Sequence, residues 1–123
     1  MFRLLAAAVG LFQSFTGLSM ICAPRRWFMT APGVAATGPF NQHFVIDAGL
    51  AFLATGIAFF VCACNPRLKL VGLGASGFVV LHALFHLLHL AMGESAAPAV
   101  DIVLAIPAFL GLALTLPHKE MGA

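Results

Sequence analysis

Four uninterrupted apolar stretches, Leu4–Ala23, Phe44–Cys64, Leu70–Met92 and Ala97–Leu116, constrain this chain more than any other feature. Roughly 20 apolar residues in a helix cross a hydrocarbon core of about 30 Å, and each stretch has that length. Helix-stopping or turn-forming residues mark the boundaries: Pro24, Asn65-Pro66, Gly93-Glu94-Ser95 and Pro117. None of the stretches alternates polar and apolar residues as the strands of a transmembrane barrel must. Pro107 falls inside the fourth stretch and predicts a kink that neighbouring helices absorb.

Composition closes the alternatives. With 62% hydrophobic and 8% charged residues in a chain of 123, there is too little polar surface to dissolve a small domain. The same balance excludes disorder, and three cysteines without framework spacing exclude a disulfide scaffold. A net charge of +2 carried by scattered basic residues gives no nucleic acid footprint. The expected fold is all-α: one integral membrane domain over residues 1–123. Short connections after the second and third spans make successive helices antiparallel neighbours, so the predicted arrangement is an antiparallel four-helix bundle.

Arg3 ahead of an apolar run has the look of a signal peptide. No small-residue cleavage site follows it, and Ile21-Cys22 departs from a lipoprotein box, so the first span reads as a mature helix. With four spans both termini share a side. That side collects Arg3, Arg67, Lys69 and Lys119 against Arg25 and Arg26 on the other, which places both termini in the cytoplasm of a bacterial inner membrane. The loop 24–43 is then on the outer side. Its Arg25, Arg26 and Trp27 suit the headgroup level, where the arginines would hold lipid phosphate or an acidic partner.

Ionisable side chains inside a bilayer cost a few kcal/mol each and need a reason. His43 and Asp47 open the second span at i and i+4; His82, His86 and His89 share one face of the third; Asp101 opens the fourth, with Glu94 in the turn before it. Given the alternating directions of the helices, five of these groups lie at one level just below the outer surface, with His82 about one turn deeper. Small residues continue the same stripes: Ala51, Ala54 and Ala58 below Asp47, Ala105 and Ala108 below Asp101, and Gly10, Gln13, Gly17 and Met20 on the first span. Small residues let helices approach closely in lipid, so these faces, and the polar groups on them, are expected to point into the bundle.

Imidazoles and carboxylates from facing helices form the donor set of a transition metal site for zinc, iron or copper. Its expected ligands are His43, Asp47, His86 and His89, with His82 and Asp101 completing the shell or supporting it. Such a site would serve redox chemistry or metal handling. Met20, Cys22, Met29 and Met92 near the same side would favour copper. Two histidines on different helices could instead ligate a b-type haem, although Asp47 would crowd a porphyrin. Proton relay or quinone binding would use His and Asp as exchangeable groups. The plainest alternative is that these groups only hold helices together, in a small accessory subunit of a larger membrane complex. Beyond lipid, the expected partners are another copy of the chain or that larger complex.

Other signals have simple readings. Gly72, Gly74 and Gly77 spell a dinucleotide fingerprint, but inside an apolar span they read as helix packing. Cys62 and Cys64 face different ways on a helix and cannot chelate together. Gln13, alone in the middle of the first span, fits an interhelical hydrogen bond or a ligand contact.

The segment Gly38-Pro39-Phe40-Asn41-Gln42-His43-Phe44-Val45-Ile46-Asp47 resembles one found in small uncharacterised four-span bacterial inner-membrane proteins, similar in layout to DoxX-like proteins. The resemblance covers the start of the second span and the span pattern. It implies a four-span fold and draws the eye to His43 and Asp47, and it implies no particular activity.

Overall fold

The computed structural model describes residues 1–117, so Lys119, counted above among the basic residues, lies outside the described part. Five α-helices follow one another: α1 (Phe2–Cys22), α2 (Pro24–Thr30), α3 (Gln42–Cys64), α4 (Lys69–Ala91) and α5 (Pro98–Thr115). Two 3-10 turns, Val34–Thr37 and Pro66–Leu68, complete the elements, and there is no strand among the described residues. The all-α reading therefore stands. All four long helices are long and apolar enough to cross a membrane, as expected of a multi-pass membrane protein. Their outward faces are apolar too, with Leu11, Phe15, Leu50, Ile57, Leu81, Phe85 and Ile106 exposed, a surface suited to lipid and not to water.

Boundaries follow local chemistry. The Asn41 side chain accepts the Phe44 amide at 3.1 Å and caps α3, and Pro24 and Pro98 sit in the first turns of α2 and α5, where a missing N–H costs nothing. The short α2 is an element that the apolar pattern did not mark. It lies in the loop, with Phe28 buried and Trp27 half buried while Arg25 and Arg26 are exposed.

Glycines decide the packing. The α1–α3 contact is the most extensive between any two helices. A Cβ on Gly17 would lie 2.5 Å from the Gly49 carbonyl oxygen, and one on Gly10 would lie 3.0 Å from that of Gly56. Residues rising along α1 thus meet residues falling along α3, and the two helices run in opposite directions. On the other side α4 meets α5 through Ser76 and Thr115, whose hydroxyls are 3.4 Å apart, and α3 meets α4 through Phe52 and Phe78, with ring centroids 5.2 Å apart. Contact between α1 and α5 is slight, and an open apolar groove separates them, lined by Phe12, Val103, Ile106 and Pro107 among others. Pro107 withdraws the amide that would bond the Val103 carbonyl, yet α5 continues through it.

Two apolar clusters fill the interior. One, at the loop end, joins Met20, Phe28, Val45, Phe52, Val79, Ala83 and Ala105. The other, toward the opposite end, joins Ala6, Val9, Phe59 and Ala63. At that opposite end Lys69 Nζ lies 4.8 Å above the Phe2 ring, which brings the start of α1 beside the start of α4.

The inward-facing stripes are correct for α1 and α5 and need correction for α3. Gly10, Gln13, Gly17 and Met20 are buried, and so are Asp101, Ala105 and Ala108. On α3, however, Ala54 is exposed and Ala51 and Ala58 are only half buried, while Val45, Gly49, Phe52, Gly56 and Phe59 form the buried face. The two glycines admit α1 and so fix the rotation of the helix. Asp47, two residues from Gly49, stands roughly 200° round from it.

Candidate functional site

Five of the six expected site residues fall into two separate groups, and His89 stands apart from both. His43 and Asp47 pair with each other one turn apart, His43 Nε2 to Asp47 Oδ2 at 3.1 Å, and their side chains are 89% and 57% exposed. They therefore point away from the bundle interior, contrary to the expected inward orientation. Gly49 and Gly56 explain it, since turning Asp47 inward would rotate both glycines out of the α1 contact.

The second group is built at the turn between α4 and α5. Helix α4 ends in a Schellman motif: Gly93, at φ +75°, donates to the Leu90 carbonyl at 3.1 Å, and Glu94 donates to that of His89 at 2.9 Å. Chain direction reverses there, and the first turn of α5 returns Asp101 to the side of His86. His86 Nδ1 lies 2.7 Å from Asp101 Oδ1. The other Asp101 oxygen, Oδ2, accepts the Ser95 hydroxyl, and Ser95 Oγ in turn accepts the Ala97 amide at 3.2 Å. Asp101 is buried, at 6% exposure, with both oxygens engaged. A carboxylate accepting from Nδ1–H fixes the imidazole tautomer and orientation and leaves Nε2 as its reactive nitrogen. The order of the bonds matters: Asp101 stands between Ser95 and His86, so this is not the arrangement in which a histidine activates a serine.

His82 extends the group inward by one turn. Its ring lies 4.7 Å from that of His86, centroid to centroid, and is framed by Phe52 edge-on at 5.3 Å and Phe78 stacked at 5.9 Å. His89 turns aside. Its Nδ1 lies 3.0 Å from the Phe85 carbonyl of its own helix, and its Nε2 is 4.0 Å from Glu94. Among the described residues no three His, Cys, Asp or Glu side chains come together as a metal-holding group. The sulfur residues are dispersed, with Met20 buried and Cys22, Met29 and Met92 exposed.

The long loop closes over this end of the molecule. Phe28 packs edge-on to Phe40 at 5.4 Å, and Trp27, Val34 and Phe40 rest on the loop-end cluster. Gly33, at φ +81°, lies so close to the Ser95–Asp101 segment that a Cβ there would come within 2.8 Å of the Ala97 Cβ. No position but glycine offers both that backbone and that clearance. The loop is thereby seated beside the Ser95, Asp101 and His86 group.

Ser95 is the site residue that the sequence reading missed, having been assigned only to the turn. Its signal was local: a serine two residues before the amide it caps, in the sequence Ser95-Ala96-Ala97-Pro98, ahead of a helix opening with an acid.

No family model, curated protein or solved structure matches the chain.

Proposed function

We propose that this multi-pass membrane protein exchanges protons at the His86–Asp101 pair, near one face of the membrane. The observation that carries this reading is the 2.7 Å contact of a half-buried imidazole with a buried carboxylate whose other oxygen is also bonded. Holding an imidazole through Nδ1 and freeing Nε2 is how proteins present a group able to take and give a proton. An intramembrane carboxylate with a named partner supports such a role by default. His82 continues the polar file inward, while His43 and Asp47 form a peripheral pair that takes no part.

The loop end, in this reading, faces away from the cytoplasm. Arg3, Arg67 and Lys69 lie toward the other end, and exposed Arg25 and Arg26 on α2 meet lipid phosphate beside Trp27. Cys22 and Cys64 are both exposed and each ends its helix, and because α1 and α3 run in opposite directions the two thiols lie at opposite ends of the bundle. A membrane-impermeant maleimide is expected to label Cys22 in intact cells and Cys64 only after permeabilisation; the reverse pattern would invert the orientation.

The function itself is tested by a pH jump applied to the protein in lipid bilayers and followed by infrared difference spectroscopy. Imidazole and carboxyl bands that survive His43→Ala and are both diminished in His86→Ala support the reading. A flat difference spectrum overturns it. So does stoichiometric metal or a Soret band in the purified protein, either of which would assign His82 and His86 to a metal or haem instead.

A further inference from the structure

Gln13 is the strongest polar exception in α1 and lies midway along it. It is 2% exposed, and its Oε1 is buried with no hydrogen-bond partner among the described residues. Buried amide oxygens almost always have a partner, because stripping water from one without replacing its hydrogen bond is costly. The position is also specific. Gln13 and His82 line the same small cavity, of about 20 Å³, whose remaining wall includes Phe12, Phe52, Ala83 and Ala108. His82 is the second polar group there. Its ring neighbours are Phe52, Phe78 and His86, and it enters none of the side-chain hydrogen bonds of the described residues.

A cavity holds a water molecule when it offers roughly 10–15 Å³ of free space and at least two polar partners. This one meets both conditions, and it is too small for a quinone ring or any other organic ligand. We infer that the cavity is a site for one ordered water, donating to Gln13 Oε1 and hydrogen-bonded to the His82 imidazole. The water completes a file running from the loop end to mid-membrane: Ser95, Asp101, His86, His82, water, Gln13. Beyond Gln13 the file stops at the apolar cluster of Ala6, Val9, Phe59 and Ala63, and the buried Ser76 and Thr115 hydroxyls of that half bond each other and carbonyls of their own helices. The polar file thus reaches the loop end through half-buried His86 and ends in the interior at Gln13. Its role as an inward extension of the proton-exchange site rests on the function proposed above; the presence of the water does not.

Water-edited NMR on uniformly nitrogen-15-labelled protein in bilayers, read at the glutamine side-chain amides, tests the site. The chain has two glutamines, and the exposed Gln42 serves as the internal reference for contact with bulk water. Polarisation from water should reach the Gln13 side-chain amide severalfold faster than the backbone amide of buried Val9. Filling the cavity with Ala108→Leu should remove that transfer, and the smaller Ala83→Val should reduce it. The decisive reading is made on the native chain, so it does not depend on either variant folding. Transfer to Gln13 as slow as to Val9 overturns the inference. Rapid transfer with a flat pH-jump spectrum would keep the water and discard the proton-exchange role; pH-jump bands without transfer would do the opposite.

Discussion

Replacing Gly56 with alanine is expected to break the seam between α1 and α3. A Cβ at that position would lie 2.7 Å from the Ser14 amide nitrogen and 2.8 Å from the Gly10 carbonyl oxygen, and backbone atoms cannot rotate aside as a side chain can. The helices must separate. In lipid there is no hydrophobic force to hold them at the greater distance, so the contacts along the rest of the seam weaken together. Overpacking a well-filled core costs about 1–3 kcal/mol, and a clash with backbone at the most extensive interface belongs at the top of that range. Unfolding in mixed micelles measures it. The control is Gly74→Ala: an added Cβ there meets nothing within 4 Å, so better helix propensity alone should stabilise by up to about 1 kcal/mol.

The second large effect concerns Asp101. Its truncation to alanine leaves His86 Nδ1 and the Ser95 hydroxyl without their shared acceptor, in a place only 6% open to its surroundings. Removing one partner of a buried pair costs about 3–5 kcal/mol, and the partial exposure of His86 puts the expected loss near the lower figure, at about 3 kcal/mol. Asp101→Asn keeps a hydrogen-bonding oxygen of nearly the same shape and should cost only about 1 kcal/mol. The contrast separates charge from shape. If both variants were as stable as the native chain, the pair would not be the organising contact of the α4–α5 turn. The peripheral pair gives the comparison, since His43→Ala breaks a contact whose members are mostly exposed and should change stability by less than about 0.5 kcal/mol.

Much of the architecture is legible in the sequence because the bilayer imposes a strong length rule, and the four long helices begin and end within about two residues of the apolar stretches. Helix α2 escaped that rule because it lies along the loop and is too short for an apolar period to register. The site was legible in part. Spacing put His82 and His86 on one face of α4, and chain direction put Asp101 at the same end as His86, which is where they meet. What spacing could not supply was the rotation of α3. Both the alanine stripe and the glycine pair are small enough to pack, and only the close approach of α1 at Gly49 and Gly56 decides that the glycines win. His43 and Asp47 went outward with that choice. Gln13 was equally ambiguous by itself, and it acquired meaning only when tertiary packing set it across a cavity from His82.

Central to this account is the claim that His86 and Asp101 exchange protons as one unit. The most direct test is the pH-jump infrared difference spectrum of the protein in bilayers, recorded for the native chain, His86→Ala and Asp101→Asn. The account predicts an imidazole and a carboxyl component that are both lost in either variant, over the bands that the more exposed His43, Asp47, His89 and Glu94 give in all three spectra. Spectra unchanged in both variants, or an imidazole signal indifferent to Asp101→Asn, would contradict it.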